Sequence, residues 1–560
     1  MHPAAAATRS VSRAKTSRTG LSLANNMTVH YSMAIDCRRS VFLRHGLPHR
    51  PLTRAKVAVR SGRRCCYVFF PSQALFSEQG LQLFPDNRMW SARFPSLRLY
   101  RCELAALLRL SAPLILAQLA QTSMGFVDTL MAGRVGARDL AAVAIGSSLW
   151  FPLILLLLGL LSALTPLMAQ AQGAGQRQQL RQLPAQGMLL GGLAGLALAV
   201  LLPQSRHLLP LLQVETAVRP LIDGYLVGVA WGFPAIGVCF ALRYCSEGRS
   251  LARPSMIASF IGLGVNIVAN AVLVFGLLGA PALGGVGCGP ATALAMWAML
   301  LVMLLLYRRI DRAALSQWRR GWRLLDRRLQ LQLLRLGLPI GIGLFIECSS
   351  FALIALLLSR FGAGEVAAHQ IALNFVSLIF MIPLSISSAT AVRVGFSIGR
   401  ARPQQVRCAV RTAVTTALVL ALTSASLMLL LAPACAALYT SDAHLRQRAA
   451  ELILLAALFQ LPDALQVIFA GALRGCKDTR VPMLLQTLAY WAIGLPLGCL
   501  LGLRLQQAAP GFWYGLIAGL SCAALMLGLR LRTSLRRVIA GLRPGTSNFP
   551  LTRAGAVVTD

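Results

Sequence analysis

Charge is scarce in this 560-residue chain. Charged residues make up 13% of it and hydrophobic ones 56%, whereas an ordinary soluble domain carries roughly 25% charged residues. That shortage excludes a soluble globular protein and leaves an integral membrane protein. Acids are the scarcer sign, 18 Asp and Glu against 54 Lys and Arg. The resulting excess of +36 does not point to nucleic acid, because the basic residues fall in short clusters between apolar runs rather than on one soluble face. Thirteen cysteines include no pair at metal-ligand spacing, and only Cys65 and Cys66 are adjacent, so neither a disulfide framework nor a zinc site is indicated. Residues 1–103 contain no run of 18 apolar residues and no sustained helical or strand period. Stretches such as RAKTSRTG and RSGRRCC read as a basic, disordered extension, and no charged start followed by an apolar core marks a cleavable signal.

What the chain does contain is long apolar runs. With about 20 residues needed per crossing, twelve candidate spans emerge: 108–132, 141–170, 184–204, 221–246, 254–279, 287–307, 333–359, 366–398, 408–437, 447–473, 482–503 and 511–531. Basic residues alternate between the connections. Arg177 and Arg181, Arg249 and Arg253, the Arg308 to Arg335 connection, Arg400 to Arg411, Arg474 with Lys477 and Arg480, and Arg530 to Arg537 all fall on one side. The opposite side carries the uncharged GAPALGGVGCG and LRLQQAAPG with its single charge. The positive-inside rule then places both termini in the cytoplasm.

Three acids interrupt these runs: Asp128 in LAQTSMGFVDTLMAG, Glu347 in PIGIGLFIECSSFAL and Asp463 in LLAALFQLPDALQVIF. A charge at membrane depth costs several kcal/mol, so such residues face water-filled cavities and carry function, or bond backbone across helices. Glu347 and Asp463 lie on spans able to converge on one cavity. There they would share a hard cation through oxygen ligands, or exchange a proton. Asn266, Asn270 and Asn374 are polar candidates beside them, with helix packing as the alternative use. Glu247 is expected to pair with Arg249 or Arg253 at the membrane boundary, and His369 to be a packed histidine.

The spans also repeat. LLRLSAPLILAQ aligns with LLRLGLPIGIGL at an offset of about 226 residues, Pro113 on Pro339, and the alignment runs on to Gly173 against Gly399. SEGRSLARPSM later matches LRGCKDTRVPM loosely, with one gap. Six spans per half make the repeat parallel, with a substrate cavity expected between the halves. The expected organisation is an extension (1–103), a six-helix lobe (104–307), an arginine-rich linker (308–332), a second lobe (333–535) and a tail (536–560).

Several of these segments resemble one family. QTSMGFVDTLMAGRVGARDLAAVAIGSSLWFP, LGGVGCGPATA, VAAHQIALNFVSLIF and LRGCKDTRVP are similar to the multidrug and toxic compound extrusion (MATE) transporters, NorM branch, in the family's order. The resemblance covers about residues 104–535. It implies an all-α, twelve-helix, two-lobe transporter of the bacterial inner membrane, acting as a monomer without cofactor. Such a protein exports cationic or zwitterionic organic compounds by antiport against H⁺ or Na⁺ and confers antibiotic resistance. The family's first-helix acid falls on Asp128, with Gln121 and Pro113 upstream; the seventh-helix acid falls on Glu347 and the tenth-helix acid on Asp463. Relatives of the DinF branch carry an aspartate where this chain has Asn270. NorM relatives carry a tyrosine, associated with the sodium site, where this chain has Phe459. That substitution leaves H⁺ open beside Na⁺; if Na⁺ is the coupling ion, Glu347 and Asp463 are its expected ligands. Gln121, Met124, Phe126, Asn266, Asn270, Phe345, Asn374, Phe375 and Phe459 are the candidate cavity lining. The resemblance further implies that residues 1–88 lie upstream of a start at Met89. A flippase for a lipid-linked precursor is the alternative in the same superfamily, disfavoured because the buried charges read as acidic.

Overall fold

The computed structural model describes residues 56–61, 64–69, 97–210, 214–312, 326–437, 439 and 442–542. Two compact units divide the chain, Met1–Ser91 and Ala92–Asp560. Within the first, β1 (Lys56–Ser61) and β2 (Arg64–Phe69) pair antiparallel, Lys56 opposite Phe69 and Ser61 opposite Arg64. The sequence carries no sustained strand period here. Valines and aromatics such as Val57, Val59, Tyr67 and Phe69 favour extended backbone, but six-residue strands are too short to give a sustained period. Apart from residues 97–103, the rest of the N-terminal extension lies outside the described residues, as do most of the linker and tail.

The second unit is all-helical among its described residues. In chain order it contains α1 (Leu97–Val135), α2 (Ala137–Ser162), α3 (Leu164–Gly173), α4 (Arg177–Leu201), α5 (Arg219–Ala230), α6 (Phe233–Gly248), α7 (Arg253–Phe275) and α8 (Cys288–Ile310). Then follow α9 (Arg327–Leu358), α10 (Ala363–Gly399), α11 (Pro403–Ala437), α12 (Ala443–Gly475), α13 (Arg480–Thr487), α14 (Leu495–Cys499) and α15 (Ala508–Gly541). Among the described residues, eleven helices are long and apolar enough to cross a membrane, and the pair α5 and α6, bent by 44°, makes a twelfth when taken as one span. The bend falls at Trp231 and Gly232, just before Pro234, which lacks an N–H and crowds the preceding turn. The eleventh span, α13 to Arg504, widens to π geometry at Leu488–Gly494 and Leu500–Arg504.

Two lobes of six spans follow from the packing. One core gathers α1 to α8, with Leu161, Tyr225, Phe233 and Met303 fully buried, and another gathers α9 to α15 around Phe459, Phe512 and Trp513. A third cluster bridges them, joining Leu107, Leu110 and Leu114 of α1 to Ile386, Ala389 and Val392 of α10. Lipid offers no hydrophobic gain for helix association, so close backbone approach through small residues does this work. Where α2 crosses α9, a Cβ on Gly159 would overlap the backbone of Gly341, so only glycine permits that crossing. Helix α1 starts at Leu97, before the boundary drawn at 103, because its first turns are anchored on the second lobe rather than free in water.

Candidate functional site

The intramembrane acids fall into two separate polar clusters. In the first lobe, Asp128 of α1 is buried and accepts from three side chains. Asn266 and Asn270, one turn apart on α7, donate to Oδ1 at 3.0 and 2.6 Å, and Thr292 of α8 donates to Oδ2 at 2.8 Å. Hydrogen bonds to a charged acceptor stabilise by about 1.5–3 kcal/mol each, so this triple clamp holds the carboxylate of α1 against α7 and α8. The Cys288 thiol reaches the Asp128 carbonyl at 3.6 Å.

Nearer the start of α1 lies a network that sequence reading missed. Arg243 of α6 is buried and fully engaged: Nε donates to Glu247 at 2.7 Å, Nη1 to Gln121 at 2.7 Å and Nη2 to Gln118 at 2.7 Å. Ser255 also donates to Glu247, at 3.1 Å. Glu247 therefore pairs with neither Arg249 nor Arg253. Arg243 is one turn before it on the same buried helix face, and Arg249 is drawn instead to Asp311 at 2.7 Å. Arg243 also amends the premise that the buried charges are acidic. Its charge is spent on Glu247 and two amides, so Arg243 itself is not free to bind a phosphate.

In the second lobe, Glu347 of α9 and Asp463 of α12 converge through one amide. Gln466 Nε2 lies 3.5 Å from Glu347 Oε1 and 3.5 Å from Asp463 Oδ1, and its own Oε1 accepts from Gln486 of α13 at 3.0 Å. Tyr490, in the π segment of the eleventh span, donates to Glu347 Oε1 at 3.2 Å. Phe459 does remove a phenol from α12, yet a phenol from another helix stands on Glu347. Carboxylates, an amide and a phenol together form an oxygen-rich set able to hold a hard cation or pass a proton.

The remaining candidates are dispersed. Phe459 is buried edge-on to Phe351 and Trp513. Phe126 is 69% exposed and Phe345 42% exposed, so both side chains are available to lipid or to a cavity. Met124 and Phe375 are partly buried against the first and second cores. Asn374 is exposed and accepts from Gln370 on its own helix at 3.1 Å. His369 is fully buried, its Nδ1 accepting from Trp513 at 3.2 Å.

Comparison with known proteins places this arrangement. The MatE family model matches residues 113–272 and again 339–500, one match per half of the repeat. A probable multidrug resistance protein NorM of Shewanella oneidensis is 45% identical over 435 residues, covering 76% of this chain and 94% of the relative. The multidrug resistance protein PmpM of Pseudomonas aeruginosa is 46% identical over 448 residues, covering 78% and 93%. Among solved structures, the Vibrio cholerae MATE transporter VcmN in its bent form superposes with a TM-score of 0.70 at 20% identity, covering 79% of this chain and 99% of that one. The eukaryotic MATE transporter AtDTX14 gives 0.70 at 22% identity, covering 80% and 100%. The two acid-bearing clusters, the repeated six-span lobes and the paired family matches lead to one conclusion: this chain belongs to the MATE family of membrane transporters.

Proposed function

We propose that the protein is a multidrug efflux antiporter of the bacterial inner membrane. It exports organic cations or zwitterions in exchange for H⁺, with Na⁺ as the alternative ion, and both termini face the cytoplasm. One observation carries the reading: Glu347 and Asp463, far apart in sequence, meet through Gln466 inside one lobe, with Tyr490 donating to Glu347. Two acids sharing an amide favour a bound cation, and a cationic drug competes for the same negative charge. The relatives' names as multidrug resistance proteins support the substrate class. The basic connections on the terminus-bearing side support the orientation.

The test is ethidium transport by purified protein in liposomes. A pH gradient is expected to drive export at least as well as a sodium gradient; transport that responds to sodium alone overturns the proton reading. Glu347→Gln keeps the shape but can neither change charge nor ligate in the same way. It is expected to lose most gradient-driven export, whereas Phe345→Ala shifts the range of drugs carried. Wild-type transport by the Gln variant would pass the coupling role to Asp128.

A further inference from the structure

The internal repeat holds at the level of single hydrogen bonds where α6 and α12 end. Ser250 N–H bonds Glu247 O at 2.8 Å and Leu251 N–H bonds Ser246 O at 2.9 Å; Lys477 N–H bonds Arg474 O at 2.9 Å and Asp478 N–H bonds Leu473 O at 3.0 Å. Both turns place their middle residue in the left-handed region, Ser250 at φ 63° and Lys477 at φ 62°. This equivalence puts Arg243 over Ala470 and Glu247 over Arg474. The alignment of Pro113 with Pro339 puts Gln118 over Leu344 and Gln121 over Glu347.

In the first lobe these four positions are the bonded network of Arg243, Glu247, Gln118 and Gln121, so the space between α1 and α6 is filled. In the second lobe the same four positions, Leu344, Glu347, Ala470 and Arg474, line a cavity of about 60 Å³ that also touches Thr479 and Met483. Where the first lobe has the bridging Arg243, the second has the small side chain of Ala470. A buried water needs about 10–15 Å³ and two or more polar partners, so the cavity has room for a short file of waters. Polar partners are present: Arg474 Nε and Thr479 Oγ1 are buried donors without a protein acceptor. Arg474 Nη2 is held by Ser387 at 2.8 Å. The cavity follows α12 from Gln466 to Arg474, about 12 Å at 1.5 Å per residue, and ends beside the α12–α13 turn.

We propose that this chamber is a water-filled proton route inside the second lobe, joining Glu347 to the cytoplasmic turn at Thr479, and that its counterpart in the first lobe is plugged by Arg243. The proposal rests on the antiport reading above and adds a path to it. A proton leaving the Glu347 carboxyl passes to water in the chamber and on to the cytoplasm without entering the space that holds the drug. Arg474 repels any cation resting there, hydronium and Na⁺ alike, which makes the chamber a passage rather than a store. The two halves of the repeat thereby divide the work, one wet towards the cytoplasm and one sealed.

The test combines transport with water-radical footprinting of the full-length protein in liposomes. Met483 is expected to oxidise about tenfold faster than the fully buried Met168, because thioether oxidation follows access to water. Ala470→Leu fills the chamber and is expected to protect Met483 and to slow pH-driven ethidium export about tenfold, with ethidium affinity unchanged within about twofold. Ala470→Ser is expected to keep both labelling and export. Met483 labelling as slow as that of Met168 overturns the proposal, and so does wild-type export by Ala470→Leu with Met483 protected. If the wild-type protein moves no ethidium on a pH gradient while Met483 labels rapidly, the antiport reading fails and the proton role fails with it, leaving only the wet chamber.

Discussion

Lys477 illustrates how a single residue couples this fold to pH. It sits on the α12–α13 turn, outside the spans, and burial of its ammonium pulls its pKa from 10.5 down to about 8. The unfolded chain therefore binds the extra proton more readily between those two values. Stability conferred by this site is full above the unfolded value and is lost as pH falls through 8. Lys477→Met removes the penalty, so the variant is expected to unfold at a higher temperature than wild type at pH 7, with the gap closing by pH 10.5. Thermal unfolding followed by tryptophan fluorescence at the two pH values reads this directly; a gap independent of pH would mean that packing, not ionisation, separates the proteins. The intramembrane acids were legible in the sequence because a charge inside an apolar run stands out. Their partners were not. Gln466, Gln486 and Thr292 are ordinary polar residues whose role depends on which helices meet, and Tyr490 looked like one more aromatic in a span. Position Gln121 was marked in the first lobe and Glu347 in the second, but their equivalence within the repeat becomes informative only beside Arg243 and Ala470.

Among the elements, the crossings were readable from the length of apolar runs, and their breaks were not. The bend at Gly232 and the π segments around Tyr490 come from tertiary packing and from prolines whose effect depends on their neighbours. The crossing of α2 and α9 yields a sharper expectation. A Cβ at Gly341 would lie 2.6 Å from the Leu156 carbonyl and 3.1 Å from its Cδ1, whereas a Cβ at Gly125 on α1 meets nothing within 4 Å. Gly341→Ala must push two helices apart and is expected to cost about 1–3 kcal/mol, typical of overpacking. Gly125→Ala, by contrast, gains up to about 1 kcal/mol from helix propensity. Melting temperatures in one detergent separate the two; equal values would mean that the crossing yields without strain.

Across the whole molecule, the two lobes are fastened at the end where α1 begins. The first turns of α1 lie on the second lobe: Tyr100 and Thr415 share a hydrogen bond at 2.7 Å, and Arg393 grips Glu103 with Nε and Nη2, both at 2.7 Å. The first turns of α9 reach back in the same manner, Gln330 donating to Gln186 O at 3.0 Å and to its Oε1 at 2.8 Å. Between these straps Gln170 donates to Gly475 O at 2.9 Å. The repeat-related Gly173 and Gly399 each leave room for the other helix's backbone, so α3 and α10 meet with no side chain between them. Alternating access requires this end to part, and the only charged clasp among these contacts is Glu103 with Arg393. A bidentate pair is geometrically specific and each hydrogen bond to a charged group stabilises by about 1.5–3 kcal/mol. Glu103→Gln is therefore expected to raise the population open at this end by about tenfold or more. Glu103→Arg sets two guanidinium groups face to face and should open it further. Exchange of the pair, Glu103→Arg with Arg393→Glu, is expected to restore closure, which a merely local packing role for either residue would not do. Distances between spin labels at the exposed Arg177 and Arg402, measured by double electron–electron resonance, report the opening. An unchanged distribution in Glu103→Gln would mean that the glycine contact alone closes the gate.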